Sequence, residues 1–257
     1  MTEERWPWWI GLAGVAAVFL LPAGLLWAID RVANRPNGTG TLIIEAINIA
    51  VALLLARRFG PLRRATFGWR PMSITPAGAL LWILLAFVAV GAANAAYASV
   101  VPHWYVTRIY RYQNSELESW LLVIAAVVAA PVAEELFFRG FLYRALRNSW
   151  GVALAVLVSS AIFGMAHWWF GDPIQSVFPR VTIGIALALL YEHTGSLYPG
   201  MLAHAWINLG LAGRLEPALR TVAGLGILIT IVVLLVRSRK DPRRRKFRKQ
   251  AREPSTA

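Results

Sequence analysis

The chain has 257 residues, of which 58% are hydrophobic and only 15% charged. A soluble domain of this length carries about 25% charged residues, so the composition excludes an ordinary soluble globule and points to membrane helices. Cysteine is absent, which excludes disulfides, thiolate metal sites, haem thioether attachment and cysteine nucleophiles.

The apolar runs predict an all-α fold, a polytopic membrane helix bundle of about eight transmembrane helices with a polar catalytic cavity. The first is expected over 6–29, which hold no charge. The preceding MTEER has two acids and one base, and no clear small-x-small site follows the apolar run. The segment therefore reads as a retained span and not as a signal peptide. The second, 40–56, contains Glu45 and Asn48, which could touch a buried site but read first as residues of the membrane interface. The third, 75–101, lies in a stretch without charge up to His103, which follows Pro102 and reads as a solvated loop residue. The fourth, 118–147, has Pro131 inside it and should kink there. NSWG at 148–151 turns the chain into the fifth, 151–169. Helices over 175–192, 198–212 and 219–237 follow. Trp6, Trp8, Trp9, Trp27, Trp120, Trp150, Trp168 and Trp169 fall near the expected span ends, as interfacial tryptophans do.

The net charge is +13, and ten of the 26 Lys and Arg residues sit in the tail RSRKDPRRRKFRKQAR. A basic tail directly after an apolar span is a cytoplasmic flank held near anionic lipid, and does not indicate nucleic acid. Arg57, Arg58, Arg63, Arg64 and Arg70 between spans two and three fall on the same side as this tail, as do Arg139, Arg144 and Arg147 towards the end of span four. The positive-inside rule then puts both termini in the cytoplasm. The expected organisation is N-terminal helices over 1–117, a core over 118–212, and a last helix with the basic tail over 213–257. No internal repeat is evident.

Inside the apolar runs the polar residues are few. The three aspartates, Asp30, Asp172 and Asp241, fall in loops or the tail, which excludes a membrane aspartyl protease. No HExxH occurs, so the zinc-protease helix motif is absent. Ser159 and Ser160 have no glycine-flanked serine motif and read as back-bonding to helical carbonyls. Glu192 and His193 sit at a span end and need no special role. What remains is Glu134, Glu135 and Arg139 on helix four, His167 on helix five, and His204 with Asn208 on helix seven. Burying ionisable groups in a membrane helix costs about 2.5–3.5 kcal/mol each on insertion scales, so a chain keeps them when they pair or work.

These groups can meet. Glu135 and His167 lie roughly 20 and 24 Å from the NSWG turn at about 1.5 Å per residue, so an antiparallel hairpin brings them to one level. His204 and Asn208 are four apart and share a helix face. Glu135 and Arg139, also four apart, suit an ion pair, while Glu134 points about 100° round the helix to a different task. Taken singly, Arg139 reads as structural, Asn208 as helix-packing glue, and Phe163 as packing against His167. As a set they supply a carboxylate and an imidazole to hold and deprotonate a water, and an imidazole and an amide to stabilise an oxyanion. A Glu134, His167 and His204 zinc shell with an open position is the metal alternative. The metal-free site, with no cofactor, is preferred.

The trio EELFFR (134–139), FGMAH (163–167) and HAWIN (204–208) resembles the CAAX-protease and bacteriocin-processing family, also called Abi, of intramembrane proteases. Its pattern is EExxxR, FxxxH, then HxxxN or HxxxD, in that order. The resemblance covers about 118–212. It implies a type II CAAX prenyl endopeptidase-like intramembrane protease in which Glu134 is the general base and His167 holds the same water. It implies that His204 and Asn208 form the oxyanion site, supported by Glu135 and Arg139, with a glutamate-activated water in place of a metal. The expected partners are a membrane protein or peptide substrate and the lipid bilayer, and the expected location is a bacterial plasma membrane. Free-living bacteria lack prenylated CAAX proteins in general, so that substrate is not carried over. Two other readings compete: a non-catalytic immunity or scaffold protein, and a proton-coupled transporter using the same residues as a relay. The absence of a repeat weighs against the transporter.

Overall fold

The computed structural model describes residues 6–29, 38–101 and 116–212. Helix α1 is Trp8–Ile29, α2 Gly38–Arg57 and α3 Pro76–Val100. A helical run from Glu116 to Trp169 contains one residue with non-helical angles, Gly151 (φ 78°, ψ 176°). A positive φ of this size is open to glycine and costly for other residues. The break makes two helices of the run, α4 (116–150) and α5 (152–169). A 3₁₀ turn at Ile174–Ser176 leads into α6, Val177–Thr194, and α7 is Leu197–Ala212. The first seven expected helices therefore form, and the NSWG turn falls where the sequence placed it. The eighth, 219–237, lies outside the described residues, as do the basic tail, His103, Asp30 and Asp241, so the count of eight is left open.

By length and apolarity, Gly38–Arg57, Pro76–Val100, Trp120–Trp169 and Ile174–Thr194 are able to cross a membrane. Large apolar side chains of α3, including Leu81, Leu84, Leu85 and Val88, face outward. A membrane helix exposes such residues to lipid at no cost, because lipid tails are as apolar as leucine.

On both sides of Pro131, where a kink is expected, the helix departs from α geometry. α4 contains two π-helical segments, Ala125–Ala129 and Glu135–Tyr143. Such widened turns appear often at functional sites. Every residue of the second segment is buried, although it holds Glu135 and Arg139. α5 and α6 pack closely where small residues meet: a Cβ at Gly184 would lie 2.9 Å from the Ser160 Cβ. Small residues let membrane helices approach in this way. Ser159 Oγ donates to Ala155 O (2.6 Å), the expected back-bond.

The connection between α2 and α3 folds back against α6 and α7. Phe67 is buried, Arg70 Nε donates to Gly195 O (2.8 Å), and the Leu197 amide donates to Gly68 O (2.9 Å). Arg70 is thus tied to the α6–α7 turn and fixes where α7 begins. At the other end of α2, Glu118 accepts from the Thr39 amide (3.1 Å) and hydroxyl (2.6 Å). These bonds hold the Glu118 carboxyl below its ordinary pKa and give partners to a helix-start N–H that has none in its own helix. Trp6 departs from expectation. It is buried, its Nε1–H donates to Phe141 O (3.1 Å), and its ring lies against Phe67 and Phe141. An indole this far inside is a packing anchor and not an interfacial one.

Candidate active site

α4, α5 and α7 bring the three motifs together. Glu135, at the start of the second π segment, accepts through Oε1 from Arg139 Nη1 (2.9 Å) and from His204 Nδ1 (3.1 Å). Arg139 Nη2 donates to Gly184 O of α6 (3.1 Å), and its guanidinium lies 4.7 Å from the centre of the Phe163 ring. The expected ion pair is present, and it also fixes an imidazole. A carboxylate paired with a guanidinium is acceptor-only, so His204 Nδ1 carries the proton of that bond.

Glu134, expected to point about 100° round the helix from Glu135, has its Oε2 3.7 Å from His204 Nε2, so one imidazole sits between two successive glutamates. The two ring nitrogens face different sides, which lets two long side chains about 100° apart converge on one ring. The glutamates differ in surroundings. The Glu135 side chain is 0% exposed and that of Glu134 13%. Glu134 Oε2 has no hydrogen-bond partner in the protein.

His167 joins the group through Phe163, one turn earlier on α5. The Phe163 ring lies 4.7 Å from the His167 ring, 5.8 Å from the His204 ring and 5.1 Å from Phe138. It is thus the hub of the site as well as a packing residue. His167 Nδ1 lies 2.8 Å from Phe163 O. A carbonyl only accepts, so Nδ1 is the donor and a neutral His167 presents Nε2 as an acceptor. Arg180 pairs with Asp172 (3.1 Å).

Asn208 behaves differently from the others. Its Nδ2 donates to Ala126 O on α4 (2.8 Å). That carbonyl needs it: the Ala130 amide is spent on Ala125 O across the π turn, and Pro131, next in line, has no N–H. Asn208 therefore fills a gap that Pro131 creates, the helix-gluing role its residue type suggests, and one N–H of its amide remains.

Two residues expected at the interface belong here instead. Glu45 and Asn48 of α2 are buried, and Asn48 Nδ2 donates to Glu45 Oε2 (3.0 Å). α2 packs against the part of α4 that runs from Ala130 to Glu134. Glu45, Asn48, Ala52 and Ala56 form one buried stripe of α2. Their three- and four-residue spacing with small residues was the sequence signal for a helix packed inside the bundle. Glu192 takes a clamping position away from the motifs, accepting from Tyr143 (2.9 Å) and Arg147 (2.7 Å). His193 lies against Trp82 with the rings tilted and their centres 4.2 Å apart, beside a cleft that these two line with Leu189 and Glu192.

Among the described residues no group of three or more His, Asp or Glu side chains is arranged to hold a metal ion.

Comparison with known proteins agrees with the motifs. Residues 116–210 match the family described as type II CAAX prenyl endopeptidase Rce1-like. The chain is 28% identical over 88 residues to the Bacillus subtilis (strain 168) protein named "Putative membrane peptidase YdiL", covering 34% of each chain. It is 35% identical over 98 residues to the "UPF0177 protein YbdI" of Lactococcus lactis subsp. lactis (strain IL1403), covering 38% of this chain and 51% of the relative. The matches thus span about a third and about half of the lengths of these relatives. No solved structure gives a significant match. The stretch matched by the family model, 116–210, is the one that carries the three motifs.

Proposed function

We propose that the protein is an intramembrane endopeptidase that hydrolyses a peptide bond of a membrane-associated protein or peptide, without a metal. The observation that carries this reading is the placement of His204 between Glu134 and Glu135, with Glu135 wholly buried and Glu134 retaining access. Each of the two adjacent carboxylates has one oxygen without a protein hydrogen-bond partner, and they differ in that Oε1 of the sequestered Glu135 is held by both Arg139 and His204.

In this mechanism a water lies between Glu134 and the acceptor Nε2 of His167. Glu134 takes one proton as the water oxygen bonds to the peptide carbonyl carbon. The carbonyl oxygen becomes an oxyanion that accepts a hydrogen bond from the remaining N–H of Asn208 and one from Nε2–H of His204, whose ring, set between two carboxylates, carries a proton on both nitrogens in this step. The C–N bond then breaks, and Glu134 returns its proton to the leaving amine. Glu135 and Arg139 touch no reacting atom and hold the His204 ring in place. The low-dielectric surroundings strengthen each of these interactions. The bacterial relatives support a bacterial plasma membrane as the location, with both termini cytoplasmic by the charge distribution.

The test is cleavage of a panel of membrane peptides, prenylated and unprenylated, by the purified protein in liposomes, read by mass spectrometry in ¹⁸O-labelled water. The expected product carries one label in its new carboxylate, and Glu134→Gln and His204→Ala abolish it. Peptides that bind but emerge intact with wild type and every variant would favour the non-catalytic scaffold.

A further inference from the structure

The site lies towards one end of the bundle, and the two ends differ in charge. We propose that it opens to the extracytoplasmic face of the membrane. Its substrates are then membrane proteins or membrane-held peptides whose scissile bond lies at or just inside that face. This inference rests on the hydrolytic reading of the site.

The site is nearer one face than the other. His167 is about 24 Å along α5 from the break at Gly151 and about 3 Å from the helix end at Trp169. Gly184, whose carbonyl takes Arg139 Nη2, is about 10 Å from the start of α6 and about 15 Å from its end. A hydrocarbon core is about 30 Å thick, so His167 sits within about 10 Å of the face at which α5 ends.

Packing closes the other direction. Between Glu135 and the Gly151 end, Phe67, Phe141, Leu142, Tyr143, Leu190 and Leu197 fill the bundle, each at most 3% exposed. Glu134, one residue further from that end, keeps access where Glu135 has none. Water and peptide therefore come to Glu134 from the side of the α5–α6 connection.

Charge identifies the faces. Arg57, Arg58, Arg63 and Arg64 are exposed at the Gly151 end. Arg70 and Arg147 are tied there to Gly195 O (2.8 Å) and Glu192 (2.7 Å), and the Trp8 ring at the start of α1 lies 5.5 Å from that of Trp150. Among the described residues the opposite end carries one base, Arg180 in the first turn of α6, and Asp172 pairs with it (3.1 Å). The positive-inside rule makes the Gly151 end cytoplasmic and the end that holds the site extracytoplasmic.

The chain has no cysteine, so single cysteines can be probed in spheroplasts of a bacterial host with a membrane-impermeant thiol reagent, which reacts with a thiolate in water. Ile174→Cys marks the α5–α6 connection and Leu62→Cys the basic end, both at exposed positions, and Glu134→Cys marks the site. Thermal unfolding in detergent verifies that each variant folds. Ile174→Cys and Glu134→Cys are expected to label in spheroplasts, and Leu62→Cys only in inverted membrane vesicles. Ile174→Cys labelled only in inverted vesicles would overturn the orientation. A folded Glu134→Cys labelled only there, or from neither side, would overturn the opening. A second arm uses a water-soluble peptide that wild type cleaves in detergent, with Glu134→Gln as background. It is expected to be cut by spheroplasts, and by sealed inverted vesicles only after detergent opens them. Cleavage by sealed inverted vesicles alone would overturn the proposal. A peptide panel that wild type does not cleave would overturn the hydrolytic reading instead, and the labelling would still decide which face the site opens to.

Discussion

Asn208 has two separable tasks, and a proline pulls them apart. Its Nδ2 donates at 2.8 Å to Ala126 O, a carbonyl without a helical donor because the Ala130 amide goes to Ala125 O and Pro131 has no N–H. Asn208→Ala leaves that carbonyl unpaired inside an apolar bundle. The cost of orphaning a buried polar group is about 1–3 kcal/mol, and measured hydrogen bonds between membrane helices sit near the lower end, about 0.6–1.7 kcal/mol. A loss of roughly 1–2 kcal/mol is therefore expected. Pro131→Ala restores an N–H placed to serve Ala126 O by continuing the π register, so Asn208→Ala should cost much less in that background. Unfolding of the single and double variants in detergent reads this directly. Equal losses with and without Pro131 would refute the account of the carbonyl. Activity should respond differently: if the second N–H of Asn208 serves the oxyanion, the double variant regains stability yet stays about 10²–10³ slower, the usual effect of one lost oxyanion donor.

Arg139→Ala strands the Glu135 carboxylate in the core, and unfolding should show a loss of about 3–5 kcal/mol, most of it recovered in Glu135→Gln/Arg139→Met. A loss below about 0.5 kcal/mol, the scale of a neutral surface change, would count against a buried pair. Gly200→Ala places a Cβ 2.9 Å from Glu135 Oε2, whose carboxylate is held by two hydrogen bonds. Cleavage should fall, and Glu135→Ala should make the glycine replaceable without further loss. Incubation with EDTA or phenanthroline should leave cleavage unchanged. Loss that zinc restores would establish the metal mechanism.

Much of the site was legible because its geometry follows from spacing along helices. The level of Glu135 against His167 depends on rise per residue and on one turn at Gly151, and both can be counted from the sequence. The Glu135–Arg139 pair follows from i,i+4 spacing in the same way. What escaped depends on departures from α-helical regularity or on contacts between distant helices. The π segments of α4 alter local register, and only the kink at Pro131 was foreseeable. Glu45 reads first as interfacial in the sequence, but the small residues Ala52 and Ala56 on its stripe let α2 come close. Trp6 sits at a span end in the sequence, yet Phe141 O provides a partner for its N–H inside the bundle, and that partner is 135 residues away.

The most direct measurement of the central claim is the single-turnover cleavage rate of Glu134→Gln against wild type in liposomes, with folding verified by unfolding curves. The account predicts a rate lower by about 10²–10⁴, the range of general-base catalysis, with substrate binding unchanged. A folded Glu134→Gln variant that cleaves at the wild-type rate would contradict it.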